Sequence, residues 1–174
     1  MELELKILAM PNIYHEVIIG TSSENVYRAL TSQEGLSAWW TPQTTTSAEV
    51  GSLARFGFGP QYFKEMRIDK LLSPEYVEWS CLAGADEWIG TTIKFTIKHG
   101  NKAALTLSNP EIADQLQQQR ENQCTLLRLE HNDWKGYTSM FAECNYTWGQ
   151  FLRSIKLYCE TGKGRPWPHQ HAVS

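Results

Sequence analysis

Five side chains in this sequence have the chemistry for general acid–base work: Glu65, Arg67, Glu78, His131 and Tyr146. Such work needs a carboxylate, imidazole or phenol held beside a reactive group. Glu65 and Arg67 lie two residues apart, on one face of a strand, and are expected to pair there. That face is either solvated or part of a site. His131 closes a strand pattern and reads either as a satisfied core or turn imidazole or as a proton carrier. No Gly-x-Ser-x-Gly elbow occurs, and no Cys–His nucleophile pair is readable. A constellation assembled only in space leaves no trace in spacing. Catalysis therefore stays open, with binding ranked ahead of it.

Metal chemistry has little support. The four cysteines, at 81, 124, 144 and 159, form no Cys-x-x-Cys pair. They read as buried or half-buried free thiols in a reducing compartment. His169-x-His171 sits in a proline-flanked tail with no third ligand nearby. No metal and no cofactor are expected.

The richest chemistry is aromatic. Trp39, Trp40, Phe56, Phe58, Trp79, Trp88, Phe95, Phe141 and Trp148 are many large rings for a chain of 174 residues. Rings of this kind bury large areas and favour edge-to-face contact, so dense core packing accounts for them. The alternative is that they line a ligand cavity. On that reading Trp39, Trp40, Phe56, Phe58, Trp79, Phe95, Phe141 and Trp148 are the ligand-binding residues.

Composition bounds the partners. Apolar residues make up 41% and charged residues 20%, which argues against wholesale disorder. A net charge of −3 provides no electrostatic footprint for nucleic acid. No run of 18 apolar residues exists, so no membrane insertion is expected. The opening Met-Glu-Leu-Glu-Leu-Lys lacks the basic and apolar regions of a signal peptide, and cytoplasmic residence is expected. The length fits one domain over 1–174, with its core at 13–162, an insertion at about 101–122 and a tail at 163–174.

These side chains must be positioned by recognisable elements. Ile13 to Gly20 alternates as a strand. Thr21 to Glu24 matches a capping box that opens a helix through Val26, Ala29 and Leu30. Thr31-Ser32 opens a second short helix, which carries Leu36, Trp39 and Trp40 and stops at Pro42. After the polar stretch 43–47, strands are expected at Ala48–Val50, Leu53–Phe58, Tyr62–Leu72, Val77–Cys81 and Ile89–Ile97. Ala103–Leu107 reads as a short strand, and Ser108-Asn109-Pro110-Glu111 as a helix start. The Gln-rich stretch to Glu121 reads as a solvated surface helix or mobile flap, with a partner-binding flap over the pocket as the rival. Cys124–His131 resumes the alternation. Gly136–Glu160 carries an apolar stripe from Tyr137 to Tyr158 at steps of three and four, the mark of a long amphipathic helix. Gly162 and Gly164 end it.

The expected fold class is α+β. A curved antiparallel sheet wraps around the long C-terminal helix, with two short helices after the first strand. A meander needs a cover for its apolar face, and the last helix alone is long and apolar enough.

Four motifs in this order resemble a known family. They are Thr21-Ser22-Ser23-Glu24-Asn25-Val26-Tyr27-Arg28-Ala29-Leu30-Thr31; Gly35-Leu36-x-x-Trp39-Trp40-Thr41-Pro42; Ser73-Pro74-Glu75-Tyr76-Val77-Glu78-Trp79; and Trp148-x-x-x-Leu152-x-x-x-Lys156-x-Tyr158-x-Glu160-x-Gly162. Together they resemble the START-like, helix-grip (SRPBCC) superfamily. Within it the chain is similar to homologues of the C-terminal domain of the activator of the ninety-kilodalton heat-shock-protein ATPase. The likeness runs from about 13 to 162. The insertion and the tail, with its Pro-Trp-Pro, depart from the family pattern. The resemblance implies a cavity between sheet and helix, closed near Trp39 and Trp40. Because such folds host unrelated functions, three readings follow in order. The first is non-enzymatic binding of a small hydrophobic or aromatic ligand. The second is a chaperone-partner module of a stress response, as the resemblance implies. The third is a cyclase- or hydrolase-like enzyme on an aromatic or polyketide-like substrate. Edge strands and apolar patches also make a homodimer an expectation.

Overall fold

The computed structural model describes residues 10–173. The signal-peptide reading of the first residues falls mostly outside that range. The first strand, β1 (Ile13–Ile19), leads to α1 (Ser23–Thr31) and α2 (Gln33–Trp39). Strands β2 (Gln43–Thr45), β3 (Leu53–Gly57), β4 (Phe63–Leu72), β5 (Tyr76–Ala83) and β6 (Thr92–Asn101) follow. Then come α3 (Lys102–Ser108), a 3-10 turn at Pro110–Ile112, α4 (Ala113–Gln117), β7 (Gln123–Asn132) and α5 (Ser139–Thr161). The strands form one seven-stranded antiparallel sheet in the order β1-β7-β6-β5-β4-β3-β2, with α5 lying across it. This is the expected α+β helix-grip architecture.

Local chemistry sets the element ends. The cap of α1 is Ser22, one residue later than the expected Thr21: its side chain accepts from Asn25 N at 3.3 Å. Thr21 instead accepts from the Asn25 side-chain amide. Ser32 serves both short helices. Its backbone N–H closes α1 on Arg28 O, and its hydroxyl accepts from Gly35 N at 3.0 Å to open α2. Thr138 opens α5 by accepting from Phe141 N, so Tyr137 precedes the helix and stays 83% exposed, outside the stripe that included it. Gly162 closes α5 at φ 79°, a left-handed turn that favours glycine.

Three strand expectations are corrected. Ala48–Val50 is not a strand; the polar Gln43–Thr45 pairs with β3 instead, with Thr44 buried on Thr41 O. Ala103–Leu107 is helical, because the Asn101 side chain accepts from Ala104 N at 2.8 Å and starts α3. Ile89 and Thr91 precede β6 in a turn, and Ile89 is exposed.

The insertion packs on the sheet and does not cover the pocket. Leu105, Ile112 and Leu116 bury against Ile18, Cys124 and Leu126 in a small second core. Neighbours in a strand point to opposite faces. Ile19 and Leu127 belong to the main core, so Ile18 and Leu126 face the other side of the sheet. The insertion therefore shields the outer face of β1 and β7. Gln115 fastens it by accepting from Ile18 N at 2.9 Å.

The short helices touch backbone to backbone. A Cβ on Gly35 would lie 2.6 Å from Ala29 Cα and 2.8 Å from Ala29 O. Gly35→Ala is expected to lower stability by about 1–3 kcal/mol through overpacking, read by urea unfolding. It would also loosen the helix that carries Trp39 and Trp40.

Candidate functional site

The concave face of the sheet is largely filled with rings. Trp40 stacks nearly parallel on Trp39 (5.8 Å between centroids) and on Trp79 (6.0 Å), and its ring lies 4.3 Å from Phe56. Trp79 meets Phe95 edge-on at 5.2 Å, and Phe95 meets Trp148 at 6.4 Å. Trp39, Phe56, Trp79 and Phe95 are fully buried in this stack. They form the floor beneath any cavity and not its wall. Phe141 packs edge-on against Trp134 and Tyr137, also off the wall.

The filling stops at one end. Between the first turns of α5 and the β3–β4 hairpin lies a cavity of about 330 Å³, at the small end of the range for ligand sites. Trp40, Phe58 and Trp148 line it, with Tyr62, Lys64, Trp88, Met140, Glu143, Cys144, Thr147 and Phe151. The tail adds Trp167 and Gln170. Trp167 N donates to Trp40 O at 2.8 Å, and its ring meets Phe58 edge-on at 6.0 Å. The tail is anchored further back, where Arg165 N donates to Ser154 Oγ and Ser154 Oγ donates to Trp39 O.

Two charged side chains stand in this wall, the exposed Glu143 of α5 and the buried Lys64. Lys64 shares the inward face of β4 with Met66 and Ile68, and only 7% of it is exposed. Its Nζ lies 4.0 Å from the Phe58 ring centroid, 4.3 Å from Trp88 and 4.5 Å from Tyr62. Ring faces attract a desolvated ammonium. Burial still favours the neutral amine and pulls the Lys64 pKa down to about 8. The same burial pushes the Tyr62 phenol up to about 12 and raises the Cys144 thiol.

His131 lies behind the wall and is fully buried. Trp148 Nε1 donates to its Nδ1 at 3.1 Å, and its Nε2 lies 2.9 Å from Thr91 Oγ1. An indole N–H only donates, so Nδ1 is the acceptor and Nε2 carries the hydrogen. The Thr91 hydroxyl in turn donates to Trp88 O. Burial, then the nearby Lys64 charge, pull the imidazole pKa down to about 3. His131 is a neutral strut that fixes Trp148 and the Trp88 turn.

The other acid–base candidates lie away from the cavity. Glu65 pairs across strands with Arg55 at 3.6 Å, and Arg67 pairs with Asp69 at 2.6 Å. The expected Glu65–Arg67 pair does not form. Each residue has a nearer opposite charge on the outer face. Glu78 accepts from Tyr76 OH at 2.6 Å. Tyr146 is 65% exposed on α5. The four cysteines are free thiols. Among the described residues no group of three or more His, Cys, Asp or Glu could hold a metal, and no helix is long and apolar enough to cross a membrane.

Sequence reasoning missed Lys64. The signal was present, because the period through Met66 and Ile68 places residue 64 inward. Trp167 was noted only as part of a departing tail, and nothing in its spacing points to the cavity.

The sequence profile of the family described as "Activator of Hsp90 ATPase homolog 1-like protein" matches residues 20–160. The chain belongs to that family. Among solved structures, it is similar to the Aha1 dimer from Colwellia psychrerythraea. That pair shares 34% identity and a TM-score of 0.69, covering 89% of this chain and all of the other. The Colwellia protein is a dimer in solution. DynU16, a protein of the dynemicin biosynthetic locus, shares the fold at 18% identity and a TM-score of 0.63, covering 88% of this chain and 48% of that one. A conserved protein of unknown function from Enterococcus faecalis shares it at 19% identity and a TM-score of 0.61, covering 88% and 76%. No curated protein matches the chain. Of the four motifs quoted for the activator-like resemblance, the second carries Trp40 and the fourth carries Trp148, and both rings reach the cavity wall. The turn-and-strand motif carries Trp79, which supports Trp40 from below.

Proposed function

We propose that this activator-like chain binds a small, flat, mostly apolar molecule in the cavity between α5 and the β3–β4 end of the sheet. The observation that carries this reading is the cavity itself: about 330 Å³, walled by Trp40, Phe58, Trp88, Trp148, Phe151 and Trp167. A ring entering it stacks against indoles already held in place, so little side-chain freedom is lost on binding. Each Å² of apolar surface removed from water contributes about 25 cal/mol. Of the eight rings expected to touch ligand, Trp40, Phe58 and Trp148 are the proposed contacts. Trp39, Phe56, Trp79, Phe95 and Phe141 support them.

The test is thermal unfolding with tryptophan emission across a panel of fused-ring and fatty ligands. A ligand at one hundred times its Kd should add about 2.7 kcal/mol of stability and perturb the emission of the wall indoles. A panel in which no member shifts Tm or emission would contradict the proposal.

Family membership favours a second reading, in which the chain docks on a chaperone ATPase. Its contact surface would be the short helices or an exposed sheet face, away from the cavity. An ATPase assay with the host's own chaperone distinguishes the two. Stimulation that persists when the cavity is occupied belongs to this second reading. The dimer seen for the Colwellia relative makes self-association part of the same proposal.

A further inference from the structure

We propose that the molecule held in this cavity is an anion, an aromatic carboxylate whose acid group pairs with the Lys64 ammonium while its ring lies against Trp40 and Trp148. This rests on the binding reading above and names the ligand class for the same site.

Lys64 has no carboxylate partner among the described residues. A buried charge is costly unless it is paired. Lys64 is nearly fully buried on the inward face of β4, among side chains that are otherwise apolar. Four ion pairs form among the described residues, and none includes Lys64. Its Nζ also makes no hydrogen bond to any described group; three ring faces lie 4.0–4.5 Å from it. Ring faces offset part of the desolvation of an ammonium but accept none of its hydrogens as a carboxylate would. Glu143 is the carboxylate nearest in the wall; it is exposed on α5 and does not pair with Lys64.

Some donors of the wall are engaged, whereas the Trp40 and Trp167 indole N–H groups and the Tyr62 hydroxyl make no hydrogen bond to a described group. Trp88 Nε1 donates to Cys144 Sγ at 3.3 Å, Trp148 Nε1 to His131, and Thr147 Oγ1 to Cys144 O. Among the donors open to a ligand acceptor here, the Lys64 ammonium is the charged one. In a site shielded from water, such a charge-assisted bond is stronger than a neutral one. Trp148, Phe151 and Met140 add apolar surface to the same lining, so the cavity suits a molecule that joins an acid group to a flat apolar body.

Other titratable groups face Lys64 from each neighbouring element. Tyr62 comes from the β3–β4 turn, Cys81 from β5, His131 from β7, and Cys144 and Glu143 from α5. Tyr62, Cys81, His131 and Cys144 are all shifted toward their uncharged forms at neutral pH. Lys64 is thus the cation that an anion would find inside, with the exposed Glu143 as the carboxylate of the lining.

The experiment compares 2-naphthoate with its neutral isostere 2-naphthamide by calorimetric titration at pH 7, with the intact chain and with Lys64→Met. The intact chain should bind the acid about tenfold or more tightly than the amide. Lys64→Met should abolish that preference, weakening the acid about tenfold more than the amide. Raising the pH to 10 should weaken acid binding to the intact chain and leave the amide unchanged. Equal affinity for acid and amide would overturn the anion proposal while sparing the binding reading. A preference for the acid that survives in Lys64→Met would overturn it too. Binding of neither probe, together with an inert ligand panel, would remove the binding reading itself.

Discussion

Acidification from pH 7 to pH 4 is expected to cost the fold on the order of 3 kcal/mol through His131 alone. The imidazole is buried, and its folded pKa is depressed from 6.5 to about 3. Below 6.5 the unfolded chain takes up a proton at this residue and the folded chain does not. Stability from His131 is therefore complete above pH 6.5 and falls by about 1.4 kcal/mol per pH unit down to about 3. The cause is burial of the imidazole, followed by the nearby Lys64 charge. Urea unfolding of the parent and of His131→Gln at pH 7 and pH 4 isolates the effect. The variant should be weaker at pH 7 and should lose less stability between the two pH values, by roughly the stated amount. Parallel pH dependences in the two proteins would show that the imidazole is not held neutral.

Trp148→Ala is expected to lower stability by about 3–5 kcal/mol and to remove ligand binding. Trp148 is almost fully buried and meets Trp40 at 5.3 Å and Phe151 at 6.4 Å. Its loss would leave a void at the centre of the ring stack and orphan the Nδ1 of His131. Trp148→Phe separates these two effects. It keeps most of the packing and removes the donor, at about 1–3 kcal/mol for the unsatisfied nitrogen. Urea unfolding checks the stability terms, and tryptophan emission with ligand checks the binding term. A Trp148→Ala variant that unfolds like the parent would mean that the indole is peripheral.

The elements that position this site were readable where the pattern is long. Val77, Trp79 and Cys81 alternate inward on β5 as expected, and all three are buried. The α5 stripe placed Trp148, Phe151, Leu152 and Ile155 toward the sheet. Legibility failed where one local interaction outweighs pattern. The Ala-Ala-Leu-Thr-Leu run at 103–107 suits strand or helix equally, and a single side-chain cap from Asn101 decides it. Gln43–Thr45 is polar, yet it pairs with β3, where the Thr41 hydroxyl just before it donates to Gly57 O. The site itself was legible only in part. The aromatic set was visible, but spacing cannot say which rings stack as floor and which stand in the wall. Trp39 and Trp40 are adjacent, and the wall holds Trp40 because Trp39 turns back to donate its Nε1 to Ala29 O at 2.8 Å. Lysine is read by habit as solvated. Only strict alternation with Met66 and Ile68 shows that Lys64 turns inward.

The insertion teaches a related lesson. Its single apolar stripe of Ile112, Ala113 and Leu116 looked too thin to bury. Ile18 and Leu126, at odd phase in strands whose neighbours face the main core, supply the other half of that contact. Two successive apolar residues in a strand, Ile18-Ile19 and Leu126-Leu127, mark a sheet covered on both faces.

The most direct test is to locate a bound ring. With 2-naphthoate added to the intact chain, nuclear Overhauser contacts are expected from its aromatic protons to the Met140 methyl and to the indoles of Trp40 and Trp148. Contacts confined to the groove beside Tyr76, Thr96 and Lys98, or chemical-shift changes that bypass all three cavity residues, would contradict the account.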